Sequence, residues 1–196
     1  MRMTLLKCWT SLLCALLVAG CAGTDFVKPQ PDSLKLGATT EAQIRAQFGS
    51  PFSEGSKLRN GEMVKTLAYA YANVGGEPLV SGVTPARGIN FYFFGGTLVG
   101  YEFMSSFKAD NTYYDHSKVT NLRKGTTSRA EVVSLLGEPH GAYMFPMIKE
   151  KPGQGSVYAY TETKGFTPYA KILVVSFDGR GLLNDVEFTE QGTRGK

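Results

Sequence analysis

The feature that most constrains the fold of this chain is an internal repeat. Residues 122–139 read LRKGTTSRAEVVSLLGEP, and residues 34–51 read LKLGATTEAQIRAQFGSP. A Tyr-Ala-Tyr triplet follows in each copy, at 69–71 and at 158–160, and a Thr-Pro pair and a glycine-rich turn come after it in the same order. Because unrelated segments would rarely share so many features in one order, the sequence predicts an internal duplication.

Each copy opens with the signature of a short helix. Thr40 with Gln43, and Ser128 with Glu131, fit the capping box, in which a hydroxyl and a carboxyl or amide side chain bond to backbone N–H groups at a helix start. A Gly-x-Pro triplet then ends each helix after about two turns, since glycine suits the C-cap and proline cannot continue a helix. Helices this short are unstable alone, so each must pack against another element.

Segments of strand-like composition follow each helix, and a glycine-rich turn separates the last two of them. They are residues 66–74, 84–94 and 98–103 in the first copy and 156–163, 167–177 and 182–188 in the second. In the last strand of each copy, successive side chains point to opposite faces of the sheet, so Glu102 and Glu187 are expected to point outward, away from the buried face. The predicted fold class is therefore α+β, with two tandem repeats, each a short helix or helical pair packed on a three-stranded antiparallel sheet.

The N-terminus has the pattern of an export signal. A basic start is followed by an apolar run at 8–19, whose 12 positions are fewer than the roughly 20 that span a bilayer. Val18-Ala19-Gly20-Cys21 then resembles the lipobox of bacterial lipoprotein precursors. The resemblance implies cleavage before Cys21 and lipidation of this cysteine, with palmitate among its acyl chains, and two or more such chains make a lasting membrane anchor. Ala22 follows the cysteine and implies sorting to the outer membrane, on its periplasmic face.

These features divide the chain into six segments. They are a lipoprotein signal peptide (1–20), the lipidated cysteine and a tether (21–33), a first repeat (34–106), a linker (107–121), a second repeat (122–190) and a basic tail (191–196). Loss of Arg2 and Lys7 with the signal peptide changes the count from 21 basic and 17 acidic side chains to 19 and 17, a formal charge of +2. So small an excess argues against nucleic acid as a partner.

The repeated motifs resemble a known family. Leu-x-x-Gly, a Thr or Ser cap with Glu or Gln, Leu-Leu-Gly-x-Pro and a hairpin rich in Phe and Gly are similar to the SmpA/OmlA domain of small outer-membrane lipoproteins, which include the E subunit of the β-barrel assembly machinery. The double copy is also similar to the β-lactamase inhibitor protein, which joins two helix-plus-sheet units. The resemblance covers residues 34–104 and 122–189, and this chain departs from the assembly subunit in having two units.

The mature chain lacks the residue patterns typical of an enzyme. It has two histidines, His116 and His140, and neither zinc-ligand spacing, a glycine-rich phosphate loop nor a Gly-x-Ser-x-Gly elbow occurs. Asp115 and His116 are adjacent, but neighbours in an extended segment point in opposite directions, so they fit a linker better than a catalytic dyad. His140 is expected in a surface loop. We therefore predict no enzymatic activity, no cofactor and no metal site.

Aromatic and methionine side chains provide candidate partner-binding residues. Residues 141–155 form a loop bracketed by proline and glycine, with a composition that recognition surfaces favour. The alternative is that this loop folds back to cover the sheet. Tyrosines on the strands are a second set, although at least one of each pair is expected in the core. The candidates are Tyr143, Met144, Phe145, Met147 and Ile148 in the loop, and Tyr69, Tyr71, Tyr158 and Tyr160 on the strands.

Two functions follow from these features. The first is a non-catalytic, periplasm-facing outer-membrane lipoprotein, which acts as a protein-binding or scaffolding module in envelope assembly or integrity. Its partners would be the membrane, through Cys21, and another envelope protein. The alternative is an inhibitor or binder of a periplasmic or secreted enzyme, which would use the concave surface between the two units.

Overall fold

One antiparallel sheet of eight strands, in chain order from β1 to β8, dominates the computed structural model, which describes residues 24–165 and 167–192. The strands are β1 Ser53–Arg59, β2 Glu62–Ala72, β3 Ala86–Phe94, β4 Thr97–Ser105, β5 Gly141–Tyr143, β6 Gln154–Lys164, β7 Thr167–Phe177 and β8 Leu183–Gly192. The helices are α1 Glu41–Phe48 and α2 Arg129–Leu136, with 3-10 turns at Pro31–Ser33, Lys108–Asp110 and His116–Asn121. Side chains from β1 and β8 line one shared cavity, so the sheet curls into an open half-barrel.

The predicted fold class is wrong, because the chain does not form two separate helix-on-three-strand repeats. Four strands follow each helix, and β4 pairs with β5, so that both halves belong to one sheet. Sequence reasoning missed β1 because its residues, SEGSKLR, are almost all polar, as suits a strand exposed at the sheet edge. It missed β5 because that strand has only three residues and lies inside a segment read as a loop.

Both α-helices begin and end as their sequences predict. The Thr40 hydroxyl accepts a hydrogen bond from the Gln43 N–H at 3.4 Å, and the Ser128 hydroxyl accepts one from the Glu131 N–H at 3.3 Å. In each case the side chain at the third helical position bonds back to the cap residue, which completes the capping box. The glycine that ends each helix has a positive φ, the conformation that favours glycine there.

The two halves repeat one contact that holds each helix on the sheet. The Tyr69 hydroxyl donates to the Gly49 carbonyl at 3.1 Å, and the Tyr158 hydroxyl donates to the Gly137 carbonyl at 3.0 Å. Each tyrosine therefore buries its ring under the helix and satisfies a carbonyl at the helix end.

The core is divided between the two faces of the sheet. Each helix covers its own apolar cluster, which includes Ile44 and Phe48 in the first half and Val132 and Leu136 in the second. A third cluster lies on the opposite, concave face and draws on both halves. Its buried members are Val64, Tyr92, Val99, Tyr143, Met147, Ile148, Val157, Ala159 and Val174. The two copies are thus joined by a backbone ladder and by a shared apolar layer.

No helix in the described part of the chain is both long and apolar enough to cross a membrane. The predicted signal peptide and the lipidated Cys21 lie outside the described residues, as do residues 193–196 of the predicted tail.

Candidate functional site

The candidate site is the concave face, which a single connection crosses. We call this connection, residues 144–153 between β5 and β6, the strap. Met147 and Ile148 are 4% and 3% exposed and pack with Val157 and Val174 in the shared apolar cluster. Of the two alternatives for this loop, the structure has the one in which it folds back over the sheet.

Polar contacts fix the strap at both edges of the sheet. The Asn60 side chain, in the β1–β2 turn, donates to the Pro146 carbonyl at 2.8 Å. The Lys149 ammonium lies 3.4 Å from the Asp185 carboxylate and 3.6 Å from that of Glu187, both on β8. Because exposed ion pairs contribute only about 0–1 kcal/mol, the buried apolar side chains hold the strap more strongly than these contacts do.

A buried carboxylate lies in the middle of the concave face. Glu102 is 3% exposed and accepts hydrogen bonds from the Tyr92 hydroxyl at 2.6 Å, from the Asn90 amide at 2.8 Å and from the Tyr143 hydroxyl. Burial, together with the nearby negative charge of Glu102, raises the pKa of both tyrosines above the usual range. The predicted outward direction of Glu102 is correct with respect to the helices, but the side chain is covered by Tyr143 and is not solvated.

The two edges of the concave face differ in charge. On β1, the Lys57 ammonium lies 4.0 Å above the centre of the Tyr92 ring, and burial lowers its pKa although Glu102 opposes this effect. Lys57 and Arg59 face Glu187 of β8 across a cavity of about 350 Å³. A basic edge and an acidic edge therefore flank the buried carboxylate.

A larger cavity, of about 880 Å³, lies at the end of the sheet where the β3–β4 and β7–β8 hairpins turn. Both halves line it, since Phe94 and Val99 come from the first and Arg129 from the second. Met144 and Phe145, the start of the strap, form part of its wall and are only partly buried. This space is larger than the cavity between β1 and β8.

The structure separates the candidate loop residues into two groups. Tyr143, Met147 and Ile148 are buried, and Met144 and Phe145 are partly exposed at the larger cavity. In this conformation, only the second group offers apolar surface to a partner.

The strand tyrosines lie on the helix-covered face, away from the concave face. Tyr69, Tyr158 and Tyr160 are buried there. Tyr71 is half-buried and stacks on Phe107, with ring centroids 6.1 Å apart and planes 8° from parallel. Their rings support the core, which is what was expected for at least one of each pair.

The histidines do not form a reactive site. The Asp115 carboxylate accepts hydrogen bonds from the N–H and the hydroxyl of Ser117, so it caps a 3-10 turn and does not orient His116. The expectation that His140 is a surface residue is wrong, because it is 5% exposed and contacts the Tyr158 ring. Burial, and then the charge of Lys28, lower the pKa of His140 to about 4. Among the described residues, no three potential ligands converge as a metal site would require.

Sequence reasoning missed the polar cluster around Glu102. A signal was present, since Asn90 and Glu102 interrupt the otherwise apolar middle parts of β3 and β4. Buried polar groups need partners, so two such residues at neighbouring strand positions suggest a shared hydrogen bond.

The chain is thus mainly one continuous open sheet of eight antiparallel strands, with short helices on one face and a strap across the other. Residues 111–187 match the model of a family described as the outer membrane protein assembly factor BamE domain. The match confirms the resemblance to SmpA/OmlA domains for these residues, which form most of the second half of the chain.

Two further comparisons add less. A solved structure from Streptococcus mutans, provisionally assigned as a β-lactamase inhibitor protein, is 16% identical, with a TM-score of 0.41, and the alignment covers 81% of this chain and 91% of that one. Comparison with curated proteins finds no match.

Proposed function

We propose that this chain is a non-catalytic lipoprotein, anchored through Cys21 to the periplasmic face of the outer membrane, that binds another envelope protein. The family match supports a role in outer-membrane assembly or integrity. The lipobox-like end of the signal peptide supports the anchor. Because one fold can carry many functions, the binding surface is defined by the residues that are exposed on it.

The observation that carries this proposal is the apolar layer on the concave face, to which both halves contribute. At its open end, Met144 and Phe145 remain partly exposed beside the larger cavity. A flexible methionine beside a rigid aromatic ring suits protein recognition, because one adapts to the partner and the other buries a large area at little entropic cost. We propose that a partner contacts this end first.

A non-catalytic role also fits the buried carboxylate. The oxygens of Glu102 accept three hydrogen bonds from neighbouring side chains, and the strap residue Met147 lies beside it in the smaller cavity. A general base needs access to the proton that it removes, whereas this carboxylate is engaged by its own protein. Its arrangement is that of a structural group, which fixes β3, β4 and β5 to one another.

Copurification from native membranes tests the proposal. The wild type should retain an envelope protein in stoichiometric amount, and the double change of Met144 and Phe145 to serine should reduce recovery at least tenfold. Val74→Ser is the matched control, because Val74 is 89% exposed, lies in the connection between β2 and β3, and belongs neither to the shared apolar cluster nor to the lining of either cavity. Equal recovery with the double variant would contradict the proposed surface.

The identity of the partner separates the two functional classes. Recovery of a barrel protein or another component of the envelope favours the assembly role, whereas recovery of a periplasmic or secreted hydrolase favours the inhibitor alternative.

A further inference from the structure

The edge of the sheet at β1 exposes apolar side chains. Phe52, Leu58 and Met63 are 80%, 67% and 60% exposed. Leu58 and Met63 lie directly opposite each other in the β1–β2 register, and Phe52 continues alongside β2, since its N–H donates to the Ala68 carbonyl at 2.8 Å. An exposed apolar row on an unpaired strand is the kind of edge that pairs with another strand.

The usual protection of such an edge is weak here. Lysine on an edge strand normally discourages pairing, but the Lys57 ammonium is turned inward over the Tyr92 ring, at 4.0 Å. The Glu54 carboxylate is held by Arg45 at 2.6 Å and so is also drawn away from the edge. Two of the three charged side chains of β1, Glu54 and Lys57, are therefore engaged within the same molecule.

The opposite edge differs in this respect. Strand β8 is predominantly acidic, because it carries Asp185, Glu187 and Glu190. The strap contacts this strand through Lys149. Two copies joined at β8 would bring like charges together, which is unfavourable across strands. Pairing is thus favoured at β1.

The β1–β2 hairpin determines which β1 groups face outward. Asn60 and Gly61 form a two-residue turn with φ of 46° and 85°, closing on the Arg59–Glu62 pair. In such turns the closing pair is hydrogen-bonded, so alternate residues bond to β2 and the others present their N–H and C=O groups to solvent. Those others are Glu54, Ser56 and Leu58.

We propose that two copies of this chain associate through β1, antiparallel and with a two-fold axis at Gly55. In this register, Glu54 of each copy forms a backbone ladder pair with Ser56 of the other. Phe52, just before β1, lies beside Leu58 of the other copy, while its N–H stays bonded to the Ala68 carbonyl of its own β2. A register centred on Ser56 would instead oppose Glu54 to Leu58. The first arrangement pairs apolar with apolar side chains and unites two sheets into one of sixteen strands.

This geometry keeps both N-termini on the same side. Antiparallel strands are related by a two-fold axis normal to the sheet, so the helix-covered faces of both copies point the same way. In each copy the N-terminal segment lies on that face, where Asp25 contacts Arg87 at 2.9 Å and Phe26 packs on Phe48. If Cys21 carries the proposed lipid, both anchors can enter one membrane.

Cysteine cross-linking of the exported, full-length protein in membranes tests the pairing. The native cysteines are Cys8, Cys14 and Cys21, so wild type under the same oxidant gives the background. A Cβ at Gly55 meets no atom within 4 Å, so Gly55→Cys should fold normally. At the axis, facing Cα atoms of a non-hydrogen-bonded pair are about 4.5 Å apart, within the range of a disulfide.

Gly55→Cys should give a covalent dimer of twice the chain mass. Ser56→Cys lies off the two-fold axis and should give at least fivefold less of this dimer. Thr189→Cys on β8 should give background only. Adding Leu58→Lys should reduce the Gly55→Cys dimer at least tenfold, whereas Val74→Lys should not change it. No dimer with Gly55→Cys, a faster reaction at Ser56→Cys, or an adduct with a different protein would each overturn the proposal.

Discussion

The buried His140 makes the stability of this protein depend on pH in a defined direction. Its pKa is about 4 in the folded chain, against about 6.5 in an unfolded one. The pKa of His140 is lower in the folded state than in the unfolded state, so neutral His140 stabilises the fold fully above about pH 6.5. As the pH falls below this value, the unfolded state takes up a proton and the stabilisation decreases, until it is lost below about pH 4. From these two values, lowering the pH from 7 to 5 should reduce the free energy of unfolding by about 2 kcal/mol.

Thermal unfolding of wild type and His140→Gln across this pH range measures the effect. For a chain of this size, about 2 kcal/mol corresponds to a decrease in Tm of about 4–8 °C. Between pH 7 and pH 5, the Tm of His140→Gln should therefore decrease by about 4–8 °C less than that of the wild type. His116 is exposed, so His116→Gln should behave like the wild type. An unchanged pH dependence in His140→Gln would refute the assignment to this side chain.

Four further changes should have measurable effects. Met147→Ala should lower the free energy of unfolding by about 2–5 kcal/mol in urea titrations, because it leaves a cavity under the strap, and Met144→Ala should cost less. Glu102→Gln should cost about 1–3 kcal/mol in the same titrations, since an amide cannot accept all three hydrogen bonds, and an unchanged midpoint would contradict this account. Since the pKa of Tyr92 is raised on folding, stability should fall above about pH 10, and Tyr92→Phe should reduce that loss in Tm measurements. Cys21→Ala should release the protein from the membrane pellet on fractionation, and retention in the pellet would contradict the proposed anchor.

Local features of the fold were predictable because neighbouring residues encode them. The capping boxes at Thr40 and Ser128 and the glycine stops of the helices need no information from distant parts of the chain. The pairing of β4 with β5 was not predictable, because three residues carry too little pattern to identify a strand or its partner. An exposed edge strand such as β1 has no apolar alternation to reveal it.

The candidate site shows the same limit. The sequence identified Tyr143 and Met147 as apolar residues in a loop, but whether they face a partner or the sheet depends on how the strap crosses the concave face. Glu102 is buried because the Tyr143 hydroxyl, 41 positions away, reaches it from another strand. Its partners can be recognised only once the strand order is known.

The β4–β5 junction gives this duplicated protein a means of adapting. Three residue pairs join the halves there, and a side chain at Gly141 would collide with the Tyr101 carbonyl, so glycine sets how closely the strands approach. A larger residue at position 141 would force β4 and β5 apart, and Gly141 belongs to neither of the two helix-covered clusters. A few substitutions at the β4–β5 junction would thus widen or narrow the concave face, and under the proposed function they would change which partner fits it.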